Sequence, residues 1–386
     1  MNFIADEKIF FRSHDPAGLY CYTPWLDNAF DGRLVASFDL AGASLQFEEG
    51  PKSQKGDYAG NQMRIFVSDD SGESWRETGR LPMLHARVFA AGKNLYALGH
   101  GGKLLISKST DNGESWSEPS VLDDNFVWHQ SGCGYERREG KIWITMEHDP
   151  RVDKWKGGDP VLMIADENAD LCKRENWLFS EVCSYDETGP EFADLAPGGK
   201  ESLAWLESNV VLERDETSEF YGEFLVFLRT NLCMFPNIGI VLKAQQREDG
   251  TPELVPVSDK IFYIPFPGGE MKFQIIYDAP SRLYWLIASH TAYSTFTRRD
   301  ALHPEVAHYY ERNRLELYYS QNCFDWCCAG VVAKGEPHLE SRHYASLLPV
   351  GDDLLILSRS GDKNAKNCHD TNLITLHRVK NFRDLA

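Results

Sequence analysis

Short apolar runs recur along the whole chain: RLVASFDL, MRIFVSDD, NLYALGH, KLLISKS, KIWITME, FLVFLRT, LYWLIAS, RLELYYS, DLLILSR and LITLHRV. They are rich in Val, Ile, Leu, Tyr and Phe, and clusters of Gly, Asp, Asn and Pro separate them. Runs of this length bounded by turn formers predict β-strands. No long segment carries apolar residues at the 3.6-residue spacing of an amphipathic helix, and the stretch from Asn168 to Trp177 has room for one helical turn. The pattern predicts an all-β protein.

A repeat lies within this pattern. Ser68-Asp69-Asp70-Ser71-Gly72-Glu73-Ser74-Trp75 and Ser109-Thr110-Asp111-Asn112-Gly113-Glu114-Ser115-Trp116 both read S-x-D-x-G-x-S-W, and each follows a strand-like run. Their first serines are 41 residues apart, about the length of one four-stranded propeller blade. A degenerate copy, Ser320-Gln321-Asn322-Cys323-Phe324-Asp325-Trp326, is one residue shorter, has Asn at the Asp position and lacks the Gly. The chemistry of the repeat is structural. An Asp side chain accepts backbone N–H bonds within the turn, Gly takes a positive φ, and the Trp packs back on the sheet.

Composition narrows the function. With 386 residues, 42% of them hydrophobic, the chain has ample material for a core, which excludes disorder and a disulfide-stapled miniprotein. Forty basic against 58 acidic residues give a net charge of −18. A surface so negative disfavours nucleic acid and anionic membrane, since phosphate is bound by clustered Lys and Arg. No apolar stretch is long enough to span a bilayer, and the N-terminus has no basic segment followed by an apolar one. The nine cysteines form no zinc-type spacing and read as reduced thiols. A cytoplasmic chain with no cofactor and no metal site is therefore expected, and no phosphate-binding glycine loop is present.

The repeats resemble the Asp boxes, or BNR repeats, of the sialidase superfamily, which implies a β-propeller occupying residues 1–386 as one domain. Allotting the strands gives six blades near 16–78, 79–120, 124–180, 200–258, 260–328 and 335–386, with seven as the alternative count. The run KIFFRSH is expected to close the last blade beside LITLHRV, leaving few free sheet edges.

The resemblance implies a catalytic set. A sugar with a carboxylate at its reacting carbon repels a carboxylate nucleophile, so a Tyr serves instead, a known exception among glycosidases. A Glu must take the Tyr proton, because a phenol is otherwise a poor nucleophile at neutral pH. Arg342-His343-Tyr344-Ala345-Ser346-Leu347 resembles the family's nucleophile segment, which implies Tyr344. Trp205-Leu206-Glu207 followed by FLVFLRT resembles its Glu, strand and Arg, which implies Glu207 as base and Arg229 as carboxylate ligand. A second Arg is implied in YYERNRLELYYS, with Arg314 favoured over Arg312. Asp57, 11 residues before the first repeat serine, matches the place of the acid/base. In the segment that supplies the family's first Arg, this chain has Tyr22-Thr23-Pro24. Tyr22 stands at the Arg position, and Arg12 is the neighbouring alternative.

Other polar residues at strand starts could face a sugar: His85, Arg87, His129, Lys272, Arg342, Arg359 and His369. His148 and His377 read as packing residues, Arg33, Arg137 and Arg138 as solvated turn residues, and the strand tryptophans as core. Three functions follow. The leading one is a sialidase-like exo-glycosidase for an acidic sugar. The second is a uronic-acid lyase in which His85 or His129 exchanges protons with Tyr344. The third is a glycan- or protein-binding propeller without catalysis. A small carbohydrate or oligosaccharide is the expected partner.

Overall fold

The structure is a computed structural model, and it describes residues 3–53, 60–130, 132–149, 157–185, 204–230, 237–258, 262–291, 311–336 and 339–386. These residues are almost entirely antiparallel strand, with short 3-10 turns such as Arg174–Asn176 inside the stretch predicted for a helical turn. Strands that follow one another in sequence mostly pair with one another, because tight turns make antiparallel neighbours the shortest connection.

Five sheets form among the described residues. One contains Tyr20–Cys21, Leu34–Ala41, Asn61–Ser68 and Arg76–Leu81, with Trp25–Asn28 also pairing to Leu34–Ala41. Another contains Trp205–Leu212, Phe224–Thr230, Ile238–Gln246 and Pro252–Pro256, with Phe262–Pro265 alongside. A third runs through Gln274–Asp278, Leu283–Ser289, Arg314–Ser320 and Cys327–Lys334. In a fourth, Arg342–Val350, Asp353–Ser360 and Leu373–Val379 are completed by the N-terminal strand Asp6–Arg12, which pairs antiparallel with Leu373–Val379. The ring is thus closed by strands from both ends of the chain.

The blade count differs from the expected six. Four blades stand as separate sheets, and the remaining strands form one eight-stranded sheet. The reason is local: Trp128 and His129, at the end of Ser120–His129, pair with His148 and Glu147 at the end of Lys141–His148. Those two residue pairs join strands that would otherwise belong to neighbouring blades.

Sheets pack face to face around the ring. Leu34, Ala36 and Phe38 of one sheet interleave with Leu355, Leu357, Ile374 and Leu376 of the closing sheet. Trp205, Val226 and Leu228 pack on Trp143, Leu162 and Ile164. Because both faces of each sheet are covered, central strands such as Phe224–Thr230 are buried throughout. That explains continuous apolar runs in place of strict alternation.

The repeated octapeptides close outer hairpins. Asp70 accepts from Ser68 Oγ at 2.8 Å, Ser74 N at 2.9 Å and Ser74 Oγ at 2.6 Å. Asp111 accepts from Ser109 Oγ at 2.8 Å and from Ser115 N at 2.9 Å. Ser115 Oγ donates to Asp111 as well, and the Ser74 and Ser115 hydroxyls lead the donors that hold both carboxyls down at about 2. The degenerate copy works with Asn322, whose Oδ1 accepts from Phe324 N at 2.9 Å and Asp325 N at 3.0 Å. Trp75, Trp116 and Trp326 each pack against a neighbouring core cluster.

Candidate functional site

Inner strands of successive sheets touch around the ring centre, among them Trp25–Asn28 with Leu84–Ala91 and with Arg342–Val350, and Trp205–Leu212 with Gln274–Asp278. Three of these strands carry the same irregularity. Register shifts fall between Leu84 and Arg87, between Leu206 and Asn209, and between His343 and Ser346. Within those shifts His85, Glu207 and Tyr344 take φ of +54°, +57° and +52°. Left-handed backbone is costly for such side chains, and bulges re-aim a side chain out of the pleat. The three strained positions coincide with three residues nominated from the sequence.

Arg229 ties two of them together. Its Nη1 donates to Glu207 Oε2 at 2.8 Å and to Tyr344 Oη at 2.6 Å, while its Nε donates to the carbonyl of Glu270 at 2.7 Å. All three side chains are buried. Burial pushes the Tyr344 phenol above its ordinary value, and Glu207 adds to that, outweighing Arg229, Arg312 and Arg359. The phenol is therefore neutral at rest. Burial works against the Arg229 charge, but Tyr344 and Glu207 prevail and raise its pKa.

Two more guanidinium groups lie over Tyr344. Arg312 is 5.3 Å and Arg359 5.4 Å from the ring centroid, against 5.9 Å for Arg229. Arg312 also donates to His343 Nδ1 at 3.3 Å. Arg359 stacks on the ring of Tyr22 at 4.1 Å and donates to the carbonyl of His369. Its Nε is buried with no hydrogen-bond partner among the described residues. Burial lowers the Arg359 pKa to about 10, and the neighbouring charge of Arg312 contributes, so the group remains a cation at neutral pH. The Tyr22 hydroxyl donates to Asp370 Oδ1 at 2.9 Å, an oxygen that lies at the same distance from His369 Nδ1.

Beside this set lie three histidines. His85, His100 and His129 bring one ligand atom each to within 4.8 Å of one another. Thr23 Oγ1 is 2.7 Å from His85 Nδ1, and Asp39 Oδ2 accepts the His85 backbone N–H at 2.8 Å. Burial pushes the His85 pKa down to about 3, with Arg359 acting in the same direction, Glu207 opposing it and Lys272 adding to the fall.

Several nominated residues have other roles. Arg314, favoured from the sequence, pairs with Glu316, and it is Arg312 that lies over the Tyr344 ring. Arg342 grips Glu7 with two bonds of 2.8 Å and the carbonyls of Ser341 and Gly361, bracing the N-terminal strand. Arg87 is spent on the carbonyls of Cys133 at 3.0 Å and Thr145 at 2.5 Å, which clamp adjacent strands. Lys272 donates to the carbonyl of Ala345 at 2.9 Å and so holds the backbone next to Tyr344. Arg12 pairs with Asp362 at 2.5 Å, half exposed, and does not stand in for the Arg absent at Tyr22. Asp57 lies outside the described residues.

Sequence reasoning missed His100, which no motif marks, and Asp370, whose neighbour His369 was the nominated residue. The grouping of His85, His100 and His129 was not legible either, because the three histidines come from separate strand ends and leave no spacing signature.

These features define an all-β propeller protein with a buried, cation-rich site at the inner strands. No family model matches the chain, and no curated protein matches it. Among solved structures it is similar to a protein of unknown function from Dyadobacter fermentans, at 12% identity and TM-score 0.60, covering 97% of this chain and 98% of that one. It is similar to Trypanosoma rangeli sialidase in complex with 2,3-difluorosialic acid as a covalent intermediate, at 14% identity and TM-score 0.60, covering 99% of this chain but 59% of that one. It is also similar to the GH93 α-L-arabinofuranosidase of Fusarium graminearum in complex with arabinobiose, at 12% identity and TM-score 0.54, covering 98% of each chain. At these identities the likeness is one of fold.

Proposed function

We propose that the chain is a retaining exo-glycosidase acting on a terminal sugar that bears a carboxylate, a sialic acid being the first candidate. The observation that carries this reading is the convergence of Arg229, Arg312 and Arg359 on the Tyr344 ring, at 5.9, 5.3 and 5.4 Å. Arg229 already meets Glu207, but the buried Nε of Arg359 has no partner among the described residues, and a buried cationic donor is costly unless an acceptor meets it. A carboxylate held by charge-assisted, fork-shaped bonds is the ligand such groups fit.

In the proposed reaction the sugar carboxylate engages the three arginines and draws Arg229 off the phenol oxygen. Tyr344 then attacks the anomeric carbon while Glu207, which shares the Arg229 nitrogen, takes its proton. Water then attacks the anomeric carbon and gives its proton to the acid/base, while the bond to the Tyr344 oxygen breaks and that oxygen takes its proton back from Glu207. Apo geometry need not show the Tyr–Glu hydrogen bond already made. The acid that protonates the leaving group is assigned to Asp57 on the sialidase resemblance alone. The eight-stranded sheet, divided where Trp128 meets His148, supplies two blades to a six-bladed ring. The likeness in fold to a sialidase captured as a covalent intermediate supports a nucleophilic mechanism.

The lyase reading is less well supported. With its pKa pushed down to about 3, His85 is a poor proton acceptor at neutral pH.

The test is release of a fluorescent aryl group from an aryl α-sialoside at mildly acidic pH by wild type and by Tyr344→Phe. Turnover in wild type that vanishes in a folded Tyr344→Phe protein is expected. No turnover from folded wild type on sialosides or on aryl uronides would overturn the reading.

A further inference from the structure

We propose that His85, His100 and His129 form a binding site for a transition-metal dication of the zinc class, next to the Tyr344 pocket and separate from the glycosidase chemistry proposed above. The three imidazoles come from the start of Leu84–Ala91 and the ends of Asn94–His100 and Ser120–His129, which the sheet brings to one edge. Leu84 pairs with His100, and Trp128 pairs with Gly102 on the strand Gly102–Ser109 that lies between the strands of His100 and His129, so the three positions fall at the same end of one sheet. Their rings are mutual neighbours, with centroids 5.6, 5.3 and 5.1 Å apart.

The ligand atoms lie within 4.8 Å of one another. Zinc–nitrogen bonds of about 2.0–2.1 Å in a tetrahedron require nitrogens about 3.4 Å apart. Closure around an ion therefore asks for side-chain rotations and leaves the strands in place. Three nitrogen ligands with a fourth position open is the arrangement of zinc sites that bind an exchangeable oxygen.

The surroundings of His85 fit a ligand. With a proton on Nδ1 donated toward Thr23 Oγ1 at 2.7 Å or Asp39 Oδ2 at 3.3 Å, Nε2 keeps its lone pair for a metal. A hydroxyl or carboxylate behind a ligating imidazole fixes its tautomer and orientation. The left-handed backbone at His85 is the strain that a bulge accepts in order to aim a side chain. Arg359 and Lys272 oppose a cation here, and Glu207 acts against them. Tyr22 links the two sites, its ring 6.4 Å from that of His85 and 4.1 Å from the Arg359 guanidinium.

The experiment uses the full chain, stripped with chelator, titrated with Zn²⁺ by calorimetry and with Co²⁺ by visible absorption. Exposed Cys327 and Cys328 are a rival site, so a Cys327→Ser/Cys328→Ser protein is titrated in parallel. One equivalent of Zn²⁺ per chain is expected, with a tetrahedral Co²⁺ spectrum free of thiolate charge-transfer bands. The cysteine variant should bind as wild type does, while His129→Gln and Thr23→Val weaken binding on the order of 10- to 100-fold or more. His129 is partly exposed, so its variant is the one expected to keep the fold. Absence of binding, binding unchanged in His129→Gln, or binding lost only with the cysteines would overturn the proposal.

Discussion

The guanidinium of Arg359 lies over the ring of Tyr22, 4.1 Å from its centroid. Tyr22 stands where the sialidase resemblance calls for an arginine, and Tyr22 is also what carries an arginine supplied from another blade position. Arg359, 337 residues further along the chain, is the third guanidinium over the Tyr344 ring beside Arg229 and Arg312. The tyrosine hydroxyl is fixed by Asp370 at 2.9 Å, so ring and cation are held together.

Arg359→Gln is expected to raise KM for an anionic sugar about 10- to 100-fold, the size of one lost hydrogen bond to a charged group. Arg359→Lys should recover part of it, because the charge returns without the fork. Steady-state kinetics on an acidic aryl glycoside and its neutral counterpart check this. An equal loss on both substrates would mean that Arg359 does not meet the carboxylate.

Tyr344 and Glu207 share one nitrogen of Arg229, at 2.6 and 2.8 Å, and the mechanism uses them as a unit. Tyr344→Phe and Glu207→Gln should each depress kcat strongly, and the double variant should be little worse than the worse single one. Glu207→Gln keeps an acceptor for Arg229, so the fold should survive. Additive losses in single-turnover measurements would show that the two act independently.

His377 is wholly buried against Ser358 and Thr375, with Glu7 at 3.7 Å and Arg342 also within its field. Burial lowers its pKa to about 4. The unfolded chain therefore binds the extra proton between about pH 6.5 and 4, and stability from this group is present above 6.5 and lost as pH falls. Between pH 7.5 and 5 the loss comes to about 2 kcal/mol. Denaturant unfolding at the two pH values should show a pH dependence smaller by that amount in His377→Gln.

The turn at Asp111 offers a graded test of the octapeptide. Asp111→Ala removes the acceptor for Ser109 Oγ and Ser115 N and should cost about 1 kcal/mol, as loss of a side-chain cap does elsewhere. Asp111→Asn should cost less, since Asn322 already performs the same turn with one oxygen. Thermal unfolding would rank wild type, Asn and Ala in that order.

Much of the architecture was legible locally. Hairpins depend on neighbouring residues, so apolar runs and turn formers located most strands, and the octapeptides marked outer turns. The closure of Asp6–Arg12 on Leu373–Val379 was legible too, because an unpaired edge strand needs a partner. The blade count was not. It turned on two residue pairs, Trp128 with His148 and His129 with Glu147, which join strands across a stretch that reads as an ordinary loop.

At the site, the strings around Tyr344, Glu207 and Arg229 nominated those residues, since each keeps its local pattern within one segment. The sequence by itself determined which chemical groups stand at the strand starts: a phenol, a carboxylate, several guanidinium groups and several imidazoles. Only the tertiary structure decided which of them meet. Arg312 lies over the Tyr344 ring from just before the strand Arg314–Ser320, whereas Arg314, inside that strand, pairs with Glu316. Arg359 reached Tyr22, and His100 joined His85 and His129, because closing the ring and bulging its inner strands turn side chains from distant segments toward one centre.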